Sequence, residues 1–499
     1  MTSGSADSAD PRRRVLADRP LRPDGEFVAY WMTATRRLQW NYGLERALAL
    51  AERLSRPLVV VEALGCGHRW ASDRFHAFVL AGMADQARRA AGAPILYHPY
   101  VEAEPGAGQG LVEALSRHAC ALIADDSPVF HLPRLLAAAA RRVECRLEAV
   151  DSNGLLPLAA AGRDFPSAHV FRRFLQARLA ACLTRPPLAD PLAAARLPRL
   201  ARLPEEIERR WPRADEALLA AAPAALAALP IDHEVAPVPA LPGGARAGER
   251  ALDEFVERRL PRYAEGRSHP DAEASSGLSP YLHFGHLSAH AILARVGARE
   301  GWSPELLPGS GAGARAGWWG MSASAEAFLD QLVTWRELGY HAAARRPDDY
   351  DRYEALPAWA RATLEKHAGD ARPAHYAHDR LEQGDTGDEL WNAAQRQLRG
   401  EGRIHNYLRM LWGKRVLEWT PTPREALAAL FALNDRWALD GRDPNSASGI
   451  GWCLGRYDRP WAPERPVYGM VRYMSSANTR RKLRLTGYLR HWSAQPEPT

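Results

Sequence analysis

Pro57-Leu58-Val59-Val60-Val61-Glu62-Ala63-Leu64 is an apolar run broken only by Glu62. Three successive valines are β-branched and stiff at χ1, and an apolar run that does not alternate suits a strand buried on both faces, as in a parallel sheet. Helical periodicity lies on either side, over Asn41 to Leu54 before it and Arg74 to Ala91 after it. Further out, residues 26–36 read as a strand running into a turn. The alternation then continues through strand Pro94 to Tyr97, helix Gly110 to His118, strand Ala121 to Asp125, helix Leu132 to Arg142 and strand Leu147 to Asp151. Strands and helices taking turns in this way predict a doubly wound, parallel α/β domain with right-handed crossovers. No G-x-G-x-x-G follows the first strand, so the dinucleotide fingerprint is missing.

This domain occupies about a third of a 499-residue chain, which has room for two to four compact units. Residues 1–25 are polar and Arg-rich and are expected to form a flexible basic tail; 26–165 is the Rossmann-like α/β domain. From 166 to 248 the composition shifts to Ala, Pro, Leu and Arg and closes on Gly243-Gly244, the pattern of an interdomain connector. Residues 249–499 have helical spacing almost throughout, which predicts an all-α domain. A hydrophobic fraction of 46% with 25% charged residues excludes global disorder. The Ala-rich uncharged run Ala217 to Ile231 is too short and too broken by Pro223 to span a membrane. With no apolar leader at its start, the chain is expected to be cytoplasmic. Cys66, Cys120, Cys145, Cys182 and Cys453 are scattered without a C-x-x-C pair, which argues against disulfides and against a metal site. The net charge of +6 is weak support for nucleic acid, since all but three of the 65 basic residues are Arg and the bias accompanies an Ala- and Pro-rich composition. Twelve of the 16 tryptophans follow residue 300.

Ser276-Gly277-Leu278-Ser279-Pro280-Tyr281-Leu282-His283-Phe284-Gly285 is a loop of hydroxyls and glycine opening onto a helix, able to hold a phosphate or simply to cap the helix. It is joined by Trp335-Arg336-Glu337-Leu338, by Leu390-Trp391-Asn392-Ala393-Ala394-Gln395, and by Leu433-Asn434-Asp435 leading to Asp440-Gly441-Arg442-Asp443-Pro444-Asn445. Together these resemble the flavin domain of the photolyase and cryptochrome superfamily. Tyr407-Leu408-Arg409-Met410-Leu411-Trp412, Leu417-Glu418-Trp419 and Val471-Arg472-Tyr473-Met474 look like class II cyclobutane pyrimidine dimer photolyases in particular. The match runs from about Tyr263 to Leu489 and extends more loosely to Tyr30-Trp31-Met32.

The resemblance implies FAD bound in the helical domain, light-driven electron transfer to a dimer flipped out of UV-damaged DNA, and a monomer with no membrane partner. Tyr263 and Ser276, Gly277, Leu278, Ser279 and Pro280 would contact the FAD phosphates and ribityl chain. Arg336, Asn392, Gly441 and Arg442 would complete the cofactor site. Arg409 and Asp440 would pair against the flavin ring, with Asn434 beside N5. Glu337 would be the lesion-side carboxylate. Trp391, Trp412 and Trp419, with Tyr376 as auxiliary donor, would carry electrons inward; Trp412 and Trp419, seven residues apart on one helix, lie about 10 Å apart along its axis. Trp452 and Trp461 would line the lesion pocket, and Arg267, Arg456 and Arg472 would meet the DNA. An antenna chromophore of the deazaflavin or folate type belongs to the superfamily, and the sequence does not choose between them.

The chain departs from the class II pattern at Trp335, over Gly339-Tyr340-His341 to Arg346, and at the insert Gly309 to Gly320. A cryptochrome-like light sensor is the alternative reading. Retention of Glu337, Trp452, Trp461 and Arg472 favours the enzyme, because a sensor needs no lesion pocket. A dark flavin oxidoreductase ranks last for want of a nicotinamide fingerprint.

Overall fold

A computed structural model describes residues 10–309 and 311–493. The chain divides into two units. The first runs to Gly162 and takes in Leu179–Leu252 and Leu278–Arg295; the second holds Arg163–Arg178, Asp253–Gly277 and the chain from Val296 onward.

In the first unit, β1 (Arg13–Ala17), β2 (Phe27–Met32), α1 (Tyr42–Leu54), β3 (Leu58–Leu64), α2 (Asp73–Ala91), β4 (Ile95–Val101), α3 (Leu111–His118), β5 (Ala119–Asp125), α4 (Leu132–Arg142) and β6 (Arg146–Val150) build one six-stranded sheet of order β1-β6-β5-β2-β3-β4. β2 to β6 pair in parallel, with Val28 opposite Leu58 and Leu58 opposite Ile95. β2 is buried at every position and β3 at six of seven, as their unbroken apolar runs require. The α/β fold expected from the alternation is therefore present.

Two expectations are corrected. Arg13–Ala17, read as part of a basic tail, is β1, paired antiparallel to β6 with Arg13 opposite Val150. Its arginines are tolerated in a sheet because acids meet them: Arg14 Nε lies 2.6 Å from Asp126 and Arg13 3.7 Å from Glu148. Those partners lie more than a hundred residues away, beyond the reach of local composition. Residues 166–248 are likewise no single connector. The helix α5 (Ala168–Gln176) belongs to the second unit, where Arg172 pairs with Asp330 at 2.8 Å, and Leu179–Leu252 is part of the first. Gly243 is no flexible joint: a Cβ there would lie 1.9 Å from the Phe78 carbonyl oxygen of α2. The glycine is needed for backbone contact.

The second unit is helical. A helix over Ala323–Leu329 widens into a π-turn at Asp330–Trp335 and continues as α6 (Arg336–Arg345). It is followed by α7 (Glu389–Glu401), α8 (Asn406–Trp419), α9 (Pro423–Trp437), α10 (Pro444–Cys453) and the short α11 (Ser476–Lys482). Asp388, Thr422 and Asp443 cap α7, α9 and α10 through side-chain oxygens. A second π-turn, Phe255–Arg259, lies just ahead of Tyr263. Such turns are rare and recur at functional sites; both here adjoin candidate site residues. Among the described residues no helix is long and apolar enough to cross a membrane.

Candidate active site

α8, α9 and the first turn of α10 converge on one cluster. Arg409 Nη2 donates to Asp440 Oδ1 at 3.1 Å, and Nη1 donates to Asn434 Oδ1 and Ser446 Oγ, each at 3.2 Å. Ser446 Oγ in turn donates to Asn434 Oδ1 at 3.1 Å, and the Asn434 amide nitrogen donates to Asp435 at 2.9 Å. The side chains of Arg409 and Asp440 are 12% and 13% exposed, so the pair is shielded without being sealed. Gly441 and Arg442 close the turn after α9: Arg442 adopts φ +63° and donates from its amide to Asp435 Oδ1. Burial pushes the Arg442 guanidinium down to about 10.

The aromatic candidates meet in an order that the sequence does not show. Trp391 of α7 stands between the two tryptophans of α8: its ring stacks on Trp412 (centroids 6.3 Å, planes 3° apart) and meets Trp419 edge-on at 5.3 Å. Tyr376 follows at 5.1 Å from Trp419 and is half-buried. Hydrogen bonds fix the set, since Trp391 Nε1 donates to the Trp412 carbonyl at 3.0 Å and Trp412 Nε1 to Gln395 Oε1 at 2.9 Å. The series Trp412, Trp391, Trp419, Tyr376 thus leads away from the turn of α8 that carries Arg409. Asn392, expected at the cofactor, has its amide turned to Thr386: it accepts from the threonine amide and hydroxyl and donates to its carbonyl.

Arg336 and Glu337 are both buried at the start of α6. The Arg336 guanidinium lies 4.2 Å from the Tyr340 ring centre. Burial alone would favour its neutral form, but Tyr340, Asp443 and Glu337 outweigh that and hold it charged. Tyr340 donates to Asp443 Oδ2 at 2.8 Å, while Asp443 Oδ1 caps α10. α6 is thereby tied to the turn of α10 that bears Ser446. Gly339 makes the approach possible, for a Cβ there would lie 2.7 Å from the Pro444 carbonyl oxygen and 2.8 Å from Ser448 Oγ. The departure at Gly339-Tyr340 is a packing arrangement between two helices.

In the hydroxyl loop, a Cβ on Gly277 would lie 3.5 Å from Arg403 Nη1 and 3.9 Å from Arg259 Nη1, so two guanidiniums flank it. Arg259 Nη1 donates to the Ser275 carbonyl at 3.1 Å; its buried Nε has no partner among the described residues. Burial, with Arg403 and Arg262 adding to it, lowers the Arg259 pKa. Converging cations with an unclaimed donor suit a phosphate or diphosphate. Neither arginine was found by sequence reasoning, because nothing local joins residue 259 to residue 403. Tyr263, one turn past Arg259, is buried with Arg267 over its ring at 5.8 Å. Leu278, Ser279 and Pro280 belong to the first unit, and the helix that Ser279 opens spans only Ser279–His283. The anion-holding capacity in the second unit therefore comes from side chains.

Trp452, the penultimate residue of α10, and Trp461 beyond that helix are both half-buried. The Arg472 guanidinium bridges them, 4.0 Å from the Trp461 ring centre and 5.5 Å from that of Trp452. It is also held by Asp458, through Nε at 3.0 Å and Nη2 at 3.3 Å. Arg456, expected to meet the DNA, is buried, and its Nη1 donates to the Tyr350 carbonyl. Three cations that sequence reasoning passed over, Arg480, Arg481 and Lys482, stand exposed on α11 without an ion pair among the described residues. The signal was available, since no acid follows Glu464 until Glu497.

The chain is similar to the deoxyribodipyrimidine photo-lyase of Methanothermobacter thermautotrophicus, with 30% identity over 478 residues that cover 93% of this chain and 94% of the relative. It is 33% identical over 500 residues to the deoxyribodipyrimidine photo-lyase of Oryza sativa subsp. japonica, covering 96% and 89%. Among solved structures, that of a bacterial class III photolyase from Agrobacterium tumefaciens shares the fold at a TM-score of 0.65 with 17% identity, over 95% of this chain and 87% of that one. No protein-family model matches the chain.

Proposed function

The chain belongs to the deoxyribodipyrimidine photo-lyase family of the photolyase and cryptochrome superfamily, and from that membership we propose that it repairs cyclobutane pyrimidine dimers in DNA by the light-driven electron transfer of a class II photolyase. One observation carries the reading. Arg409, paired with Asp440 and Asn434, and Trp412, the inner end of the stacked aromatic series, stand three residues apart on α8. An electron path thus ends at a cluster suited to a flavin.

FAD, bound there, supplies the absorption of blue light and the electron that opens the cyclobutane ring. Arg409 sets a positive charge beside the ring system, and Asp440 fixes its direction. Asn434 offers a neutral amide that donates or accepts as the charge beside it changes. Arg259 and Arg403 hold the diphosphate, with Ser276, Gly277 and Tyr263 lining its approach. Trp412, Trp391 and Trp419 conduct electrons inward from Tyr376. Glu337, buried in α6, would in its protonated form donate a hydrogen bond to a pyrimidine carbonyl on which negative charge develops. Trp452 and Trp461 stack on the extruded bases, Arg472 meets the DNA beside them, and α11 follows the phosphates.

The test is illumination of the reduced, flavin-loaded protein with a dimer-containing oligonucleotide. Lesion loss under light and none in the dark is expected. An untouched lesion with intact flavin photoreduction would move the reading to a cryptochrome-like photoreceptor, and protein that takes up no FAD would end both readings.

A further inference from the structure

Lysine occupies only positions 366, 414 and 482 in a chain that otherwise uses arginine. Lys366 and Lys482 are exposed, whereas Lys414 of α8 is completely buried. Its ammonium donates to the carbonyl of Cys453, the last residue of α10, at 2.6 Å. The same ammonium lies 5.1 Å from the centre of the Trp452 ring. A cation at a helix's last carbonyl offsets the negative end of its dipole. Against an indole it adds a cation–π attraction that strengthens when desolvated. Trp452 is only half-buried, so its ring is held from the interior by Lys414 while part of it stays accessible.

We propose that Lys414 is a positioning residue for lesion recognition, whose ammonium fixes the end of α10 and sets the Trp452 ring to receive an extruded base. The inference rests on the reading of Trp452 as a lesion-side aromatic. Arginine would keep its charge at any pH; lysine can lose it. Burial pushes the Lys414 ammonium down to about 8. Of the groups facing it, Cys453 and Asp458 do not titrate there. From α10, the Cys453 thiol is pushed up to about 11 by burial. From the following segment come Arg472 and Asp458; burial opposes ionisation of Asp458, but Arg472, the Arg459 amide and Trp461 hold it below the usual carboxylate range. Arg409 on α8 acts on Cys453, and Tyr468 donates to the carbonyl of Lys414 itself.

The sign separates this role from a merely structural one. A lysine whose pKa falls from 10.5 to about 8 on folding leaves the unfolded chain with more bound protons between those values, so this group makes the fold more stable as pH rises through that window. Lesion affinity should fall over the same window. Flavin-loaded protein is titrated with dimer-containing and undamaged duplex from about pH 7 to about 9.5, at fixed salt, as wild type, Lys414→Met, Lys414→Arg and Trp452→Ala. The wild type should lose about tenfold of its preference for damaged duplex as pH passes about 8, the order of one cation–π contact. Lys414→Met should be weak at every pH with a flat profile, and Lys414→Arg should stay flat. A flat wild-type profile, or Lys414→Met with the wild-type profile, overturns the proposal. If Lys414→Met does not fold, the wild type against Lys414→Arg decides. Trp452→Ala without effect on either duplex would fail the reading of the lesion pocket and this inference with it. Trp452→Ala that weakens damaged-duplex binding while Lys414→Met does not would remove Lys414 alone.

Discussion

Arg472 has a restraint that can be cut. Its Nε and Nη2 lie 3.0 and 3.3 Å from the two carboxylate oxygens of Asp458, whose Oδ1 also accepts from the Arg459 amide at 2.9 Å and from Trp461 Nε1 at 3.2 Å. Asp458→Asn removes the charge and keeps Oδ1 as an acceptor, so the local turn should persist. The Arg472 side chain is 39% exposed and that of Asp458 8%, and an ion pair this open to water is worth about 0.2 to 1 kcal/mol. If Arg472 must leave Asp458 to reach DNA, the substitution should return that cost as affinity, at most about fivefold on duplex of either kind. Because Arg472 reaches the DNA in both proteins, the dependence of log K on log salt should change by less than the roughly 0.9 of one phosphate contact. Fluorescence anisotropy titrations at several salt concentrations measure both quantities. The same substitution in an Arg472→Ala background should give no gain, because the effect runs through that guanidinium. Unchanged or weaker binding by Asp458→Asn, or an equal gain without Arg472, would refute the reasoning.

Trp391→Phe should abolish photoreduction of oxidised flavin, since it replaces the oxidisable indole between Trp412 and Trp419 by a phenyl ring that is a far poorer electron donor, while chemically prereduced protein should still repair; flash spectroscopy and a repair assay check the two. Arg409→Ala should leave Asp440 unpaired, cost up to about 3 kcal/mol in thermal unfolding and weaken retention of the flavin, read as the flavin-to-protein absorbance ratio after gel filtration. Gly339→Ala should destabilise the second unit by about 1 to 3 kcal/mol in calorimetry, because its methyl group would meet the Pro444 carbonyl at 2.7 Å. Replacing Arg480, Arg481 and Lys482 of α11 by Gln should leave flavin content unchanged and flatten the salt slope of DNA binding by about 0.9 for each phosphate that the helix no longer neutralises.

The parallel strands could be read from the sequence because burial on both faces forces a continuous apolar run, and such a run is local. Helix positions followed for the same reason, and a motif set spread over some 200 residues was specific enough to indicate the flavin domain. What escaped was always a partnership through space. β1 looked like a tail because the acids that compensate its arginines come from distant parts of the chain, Asp126 from just after β5 and Glu148 from β6. Arg456 was read as a DNA contact, and only the fold turns its guanidinium inward to the Tyr350 carbonyl. The three relay tryptophans were named from the sequence, yet only packing put Trp391 between two rings of a neighbouring helix. Arg259 and Arg403 share no motif, and Lys414 differs from other lysines solely in what surrounds it. Periodicity reports which face of an element is buried; it carries no information about which distant charge or ring will meet that face, and the chemistry of this chain depends on those meetings.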